Sequence, residues 1–324
     1  MELAAGKSEL ATLELGAALL EGDMERALGA LERGADPNVR NSLLGGRAPL
    51  HWAAGAPTGA EPGLLGLLME FGADAQATDA LGREPIHVAG LGARLDNFRL
   101  LAERCDVEAT WGSGQTALNT GAMAGAGAEV LALLVERGAD PRAADRSGVT
   151  PLMAALYSGS LEAAAWLIPR SDLGAVDDEG RDALLWAVEG AGSERLRAAL
   201  PVGNPRRADK GGNTALHLAA RGGERAKAEL LIPGSDLGAR DKWGRTPRGV
   251  AAAGGHWEVE GLLAAAELAR AEAEALAEAA AGGGERGAGS GERGEPGRGR
   301  SAVRGLGGAG AGLANSTPSP MLGR

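Results

Sequence analysis

The sequence predicts an all-α fold, a solenoid of about eight helix-turn-helix units with β-turn tips, ending in a helical extension and a disordered tail. Three observations carry this prediction. A short motif returns seven times: Arg47-Ala-Pro-Leu-His51, Arg83-Glu-Pro-Ile-His87, Gln115-Thr-Ala-Leu-Asn119, Val149-Thr-Pro-Leu-Met153, Arg181-Asp-Ala-Leu-Leu185, Asn213-Thr-Ala-Leu-His217 and Arg245-Thr-Pro-Arg-Gly249. Anchored at positions 48, 84, 116, 150, 182, 214 and 246, its steps are 36, 32, 34, 32, 32 and 32 residues, the spacing of stacked repeats that each hold a turn and two helices. Aromatic residues make up only 3% of the 324 residues while Gly and Ala abound, which suits close-packed helix pairs better than one deep core.

Asp209-Lys-Gly-Gly-Asn-Thr-Ala-Leu-His-Leu-Ala-Ala220 shows the physics of one unit. The Asp209 carboxylate can fold onto nearby backbone N–H groups, and Gly211 and Gly212 permit the tight reversal. Thr214 offers a hydroxyl where the first N–H groups of a helix lack partners. Leu216, Ala219 and Ala220 form an apolar side small enough for another helix to approach. His217 can donate a ring hydrogen bond to a neighbouring hydroxyl or carbonyl. This Asp-x-x-Gly-x-Thr-Pro-Leu-His-x-Ala-Ala pattern, with the Gly-Ala-Asp endings at Gly34, Gly72 and Gly138, resembles the ankyrin repeat family over roughly residues 8–265. The resemblance implies a non-catalytic array that binds proteins on its concave side.

In order, the expected units are 8–39, 40–77, 78–109, 110–143, 144–175, 176–207, 208–239 and 240–265. The first lacks the turn motif, as a terminal unit with one neighbour can. Its helices are read from Leu13, Leu15, Ala17, Ala18 and Leu20, then Met24, Ala27, Leu28 and Leu31, and Gly34 ends it in a left-handed cap. The second has a loosened turn at 41–46 and an extended joint at 57–63. In the fourth, Trp111 stands where the turn-holding Asp belongs, and glycines between 90 and 128 mark the softest stretch of the stack. Pro169, Pro201 and Pro233 stop second helices, because proline lacks the N–H that continuation needs. Arg248 takes a Leu slot, acceptable at an end unit where its stem packs and its head reaches water. An Ala/Glu-rich helical extension is expected over 258–281 and a Gly/Arg-rich disordered tail over 282–324.

A net charge of −10 argues against nucleic acid as a partner for the molecule as a whole. The single cysteine, Cys105, cannot form an internal disulfide and points to a reducing, cytoplasmic setting. The N-terminus reads as no signal peptide, and no apolar run is long enough for a membrane span. His51, His87 and His217 share one slot in units too far apart to converge, and His256 sits in a Gly-His joint, so structural roles are expected for all four. Asp79, Asp145, Asp177, Asp209 and Asp241 read as a series of turn stabilisers. We therefore expect no active site, cofactor or metal.

What remains is a surface. The turn tips and exposed first-helix positions of the C-terminal half carry Arg146, Tyr157, Arg181, Lys210, Arg221, Lys242, Trp243 and Arg245. This track reads as cationic although the molecule is acidic. It suits an acidic segment of a protein partner, with Trp243 and Tyr157 as anchors. The leading expectation is a monomeric interaction scaffold or adaptor. One alternative is an inhibitor or assembly factor that masks one enzyme's surface. Another is nucleic-acid binding through the basic track and the Arg/Gly tail.

Overall fold

The computed structural model describes residues 2–40, 45–55, 63–92 and 95–283. Most of the loosened turn and of the second unit's joint, and the tail beyond 283, lie outside the described residues. Among those described are sixteen α-helices. They are α1 (Glu2–Glu21), α2 (Met24–Glu32), α3 (Pro49–Gly55), α4 (Gly63–Glu70), α5 (Pro85–Gly92), α6 (Leu95–Ala102), α7 (Ala117–Ala124) and α8 (Ala128–Glu136). After these come α9 (Pro151–Ser158), α10 (Leu161–Leu167), α11 (Ala183–Glu189), α12 (Glu194–Ala199), α13 (Ala215–Arg221), α14 (Arg225–Leu231), α15 (Pro247–Ala253) and α16 (Trp257–Gly283). The described residues include no strand, only isolated bridges at Trp111–Gln115 and Ala208–Thr214. None of the described helices is long and apolar enough to cross a membrane.

Helix starts follow from local chemistry. The hydroxyls of Thr116, Thr150 and Thr246 accept the N–H groups of Asn119, Met153 and Gly249, and the Asp182 carboxylate does the same for Leu185 at 3.0 Å. Pro151 and Pro247 fill the first helical position, where a missing N–H costs nothing. Helix ends vary. Gly34, Gly72 and Gly138 adopt positive φ after their second helices. At Pro169 and Pro233 the helix tightens into one 3-10 turn, Ile168–Arg170 and Ile232–Gly234, before the chain turns away.

The helices stack as two layers. Each odd-numbered helix from α1 to α13 packs on the next odd-numbered one, and the even-numbered helices α2 to α12 form the second layer in the same way. The motif's apolar position is what each odd helix buries: Leu50, Ile86, Leu118, Leu152, Leu184 and Leu216 are all buried. Each contributes about 1.5–3 kcal/mol through burial. Arg248 breaks this series. Its head lies outside and pairs with Glu260 at 3.7 Å and Glu267 at 3.2 Å on α16. The compact unit made of these layers extends to Ala273, and α16 continues to Gly283.

Candidate partner-binding surface

Five of the turns between helix pairs are each held by one carboxylate. Oδ1 of Asp79, Asp145, Asp177, Asp209 and Asp241 accepts two backbone N–H groups, from the second and the fourth residue onward, at 2.8–3.0 Å. The tips are then tied edge to edge. The N–H just after the Asp slot donates to the carbonyl two places beyond that slot in the preceding tip. These bonds are Ala80 to Gly45, Arg146 to Ser113, Asp178 to Ser147, Lys210 to Glu179 and Lys242 to Gly211, all at 2.8–2.9 Å. The tips form a ladder of turns.

A second tie runs through the histidine slot. In His51, His87 and His217 the Nδ1 atom accepts the N–H that opens its own helix, from Ala48, Glu84 and Thr214. Nε2 faces a backbone carbonyl: Arg83 at 2.8 Å and Arg245 at 3.0 Å in the following unit, and for His87 that of Ala109 at 2.8 Å, the last residue of its own unit. A carbonyl can only accept, so Nε2 carries the proton and the ring is neutral. Burial agrees, since desolvation lowers the pKa of all three against the hydrogen bonds that favour charge. Asn119 makes the same bridge to Val149 at 3.1 Å.

Trp111 alters both ties. With no carboxylate in its slot, the tip closes through mutual backbone bonds between Trp111 and Gln115 at 3.1 Å. Among the described residues no bond joins this tip to Leu81, and His87 reaches Ala109 instead of the end of the turn. The indole Nε1 instead donates to Thr120.

A family model for ankyrin repeats, in three copies, matches residues 99–177 and 166–241. Residues 99–241 are ankyrin repeats. No curated protein matches the chain.

The ankyrin framework places the expected site residues in two groups. Arg181 and Arg245 are not free cations. Arg181 donates to Asp177 at 2.8 Å and to Glu189 at 2.7 Å and lies over the Trp186 ring. Arg245 donates to Asp241 at 2.9 Å. Both brace the turn that contains them. Arg146, Lys210 and Lys242 are exposed and make no ion pair among the described residues. The cationic track is also not continuous, because the tip between Arg146 and Lys210 presents Asp178 and Glu179, both exposed. The track expected from the sequence, read as cationic with two aromatic anchors, did not include these two.

Trp243 is 63% exposed, with Lys242 Nζ 4.4 Å and Arg245 4.5 Å from its ring centre. Tyr157 packs edge-on against Trp186 at 5.3 Å. It forms one wall of an open crevice of about 440 Å³ that Val188, Glu189, Leu218 and Arg221 also line. Arg221 approaches Glu189 only at 3.9 Å and remains mostly exposed. Trp243 and Tyr157 are not in one site. They belong to a tip and to a crevice respectively.

Burial pushes the Cys105 thiol up to about 12, and Sγ–H donates to the Ala75 carbonyl at 3.2 Å. Among the described residues no group of three His, Cys, Asp or Glu is placed to hold a metal ion. Four polar residues reach back along the stack. Asn97, Arg195 and Lys227, each thirteen residues after its unit's anchor, contact the carbonyls that end α3, α9 and α11. His256 does so for Arg221 at the end of α13, at 2.9 Å.

Proposed function

We propose that this repeat protein is a monomeric, non-catalytic scaffold of the cytoplasm that docks an acidic segment of a protein partner. Contact runs along the tips and the adjoining first-helix ends, through Arg146, Lys210, Lys242 and Trp243, with Tyr157 and Arg221 at the crevice. The observation that carries the reading is Trp243, a large ring kept in water and bracketed by two cations. Leaving such a ring exposed forgoes its burial energy, and exposed aromatics beside cations are what interfaces use as anchors. A preformed row of turns also loses little freedom on docking. Arg181 and Arg245 act indirectly, by holding the turns.

The test is capture of partners by the full chain, followed by affinity measurement with Trp243→Ala and Lys242→Ala. We expect each variant to bind about tenfold more weakly or worse while melting as the wild type does. Unchanged affinity in both would refute this use of the tips.

A further inference from the structure

The unpaired charges on successive tips follow a defined order. The two outermost places of each tip hold Arg146 and Ser147, then Asp178 and Glu179, then Lys210 and Gly211, then Lys242 and Trp243. None of the five charged residues forms an ion pair among the described residues, so the order reads positive, negative, positive, positive. The backbone bonds that tie these tips together fix it in space.

We propose that this order is a specificity code, read by an extended segment of the partner laid across the tips. The inference rests on the acidic-partner reading above and narrows it. Each tip contributes two chain passes, and hydrogen-bonded passes lie about 4.8 Å apart, so equivalent residues recur about every 10 Å. A segment in the polyproline II conformation advances about 3.1 Å per residue with three residues per turn, so every third side chain faces the same way and meets the next tip. The matching segment carries carboxylates three residues apart over Lys242 and Lys210. Three residues further on it has a basic side chain over Asp178 and Glu179, and after another three a carboxylate over Arg146. A uniformly acidic segment sets like charges together at the Asp178 tip, and that repulsion rejects it.

Fluorescence anisotropy with the full chain at low salt tests this, using labelled ten-residue peptides with proline at neutral places to hold that conformation. One peptide has glutamate at its first, fourth and tenth places and lysine at its seventh. A second has glutamate at all four, and a third scrambles the first. The patterned peptide should bind about fivefold tighter than the all-acidic one, despite carrying less negative charge. The double variant Asp178→Lys, Glu179→Lys should reverse that preference, with an unchanged melting curve. If the all-acidic peptide binds as well as the patterned one, or the preference survives the double variant, the code is wrong while acidic recognition stands. If no peptide binds, both fall.

Discussion

The ammonium of Lys227, 1% exposed, sits 2.6 Å from the carbonyl of Val188, and its other hydrogens reach the Gly190 carbonyl at 2.6 Å and the Glu224 carboxylate at 2.8 Å. All three donors are used, which is what makes a buried cation tolerable. The carbonyls belong to the end of α11, where a helix leaves such groups without partners. One unit thus completes the helix of the unit before it.

Lys227→Met keeps the stem and removes the donors. It should cost about 2–3 kcal/mol, since two carbonyls and one carboxylate lose their partner together. Urea unfolding would show this as a lower midpoint. An unchanged midpoint would mean that water serves those carbonyls equally well.

The three buried histidines predict acid sensitivity. Their pKa values lie below the ordinary 6.5 because burial disfavours the charged ring. Below 6.5 the unfolded chain therefore takes up protons that the folded chain refuses. The stability they contribute is complete above pH 6.5 and declines as pH falls toward the lowered values, by up to about 1.4 kcal/mol per pH unit for each ring. Burial raises the pKa of Glu84 and Asp182, which act in the opposite sense at lower pH. Substitution separates the two effects. Asn119 already makes the histidine bridge without titrating, so His51→Asn with His217→Asn should flatten the dependence between pH 7.5 and 5.5. An equally steep loss in that variant would assign the sensitivity elsewhere.

Gly148 and Gly212 are irreplaceable for two reasons at once. Both have positive φ, 80° and 76°, and a Cβ at either would meet the Cα of the next unit's turn, Asp177 at 2.8 Å or Asp241 at 3.0 Å. Backbone cannot give way as a side-chain tip can. Gly148→Ala should cost about 2–3 kcal/mol or more, combining the left-handed penalty with displaced backbone. Gly244→Ala has the same φ but open space around it, so it should cost visibly less. Thermal melting of the two variants compares them, and equal losses would show that only φ matters.

The repeat, its turns and its helix starts were legible because their causes lie within a few residues. Asp209 binds N–H groups two and four places away, and the Thr and Pro of the motif act inside one turn of helix. The pairing of Arg181 with Asp177 was equally local, but its consequence for binding was missed because a basic residue was counted as a free charge. Lys227 was illegible. On sequence grounds a lysine on a short helix faces water, and only the ends of α11 and α14 meeting in space make it a buried cap.

By itself the sequence determined that helix pairs succeed one another at a period near 33, where each turns, and which apolar side each must cover. Those features depend on backbone sterics and hydrogen bonds between near neighbours. Tertiary structure alone decided which exposed charges of separate units stand side by side. Edge-to-edge stacking between residues about thirty places apart in the chain sets Arg146, Asp178, Lys210 and Lys242 in one row, whereas Arg181 and Arg245 are held in their turns by carboxylates only four places away.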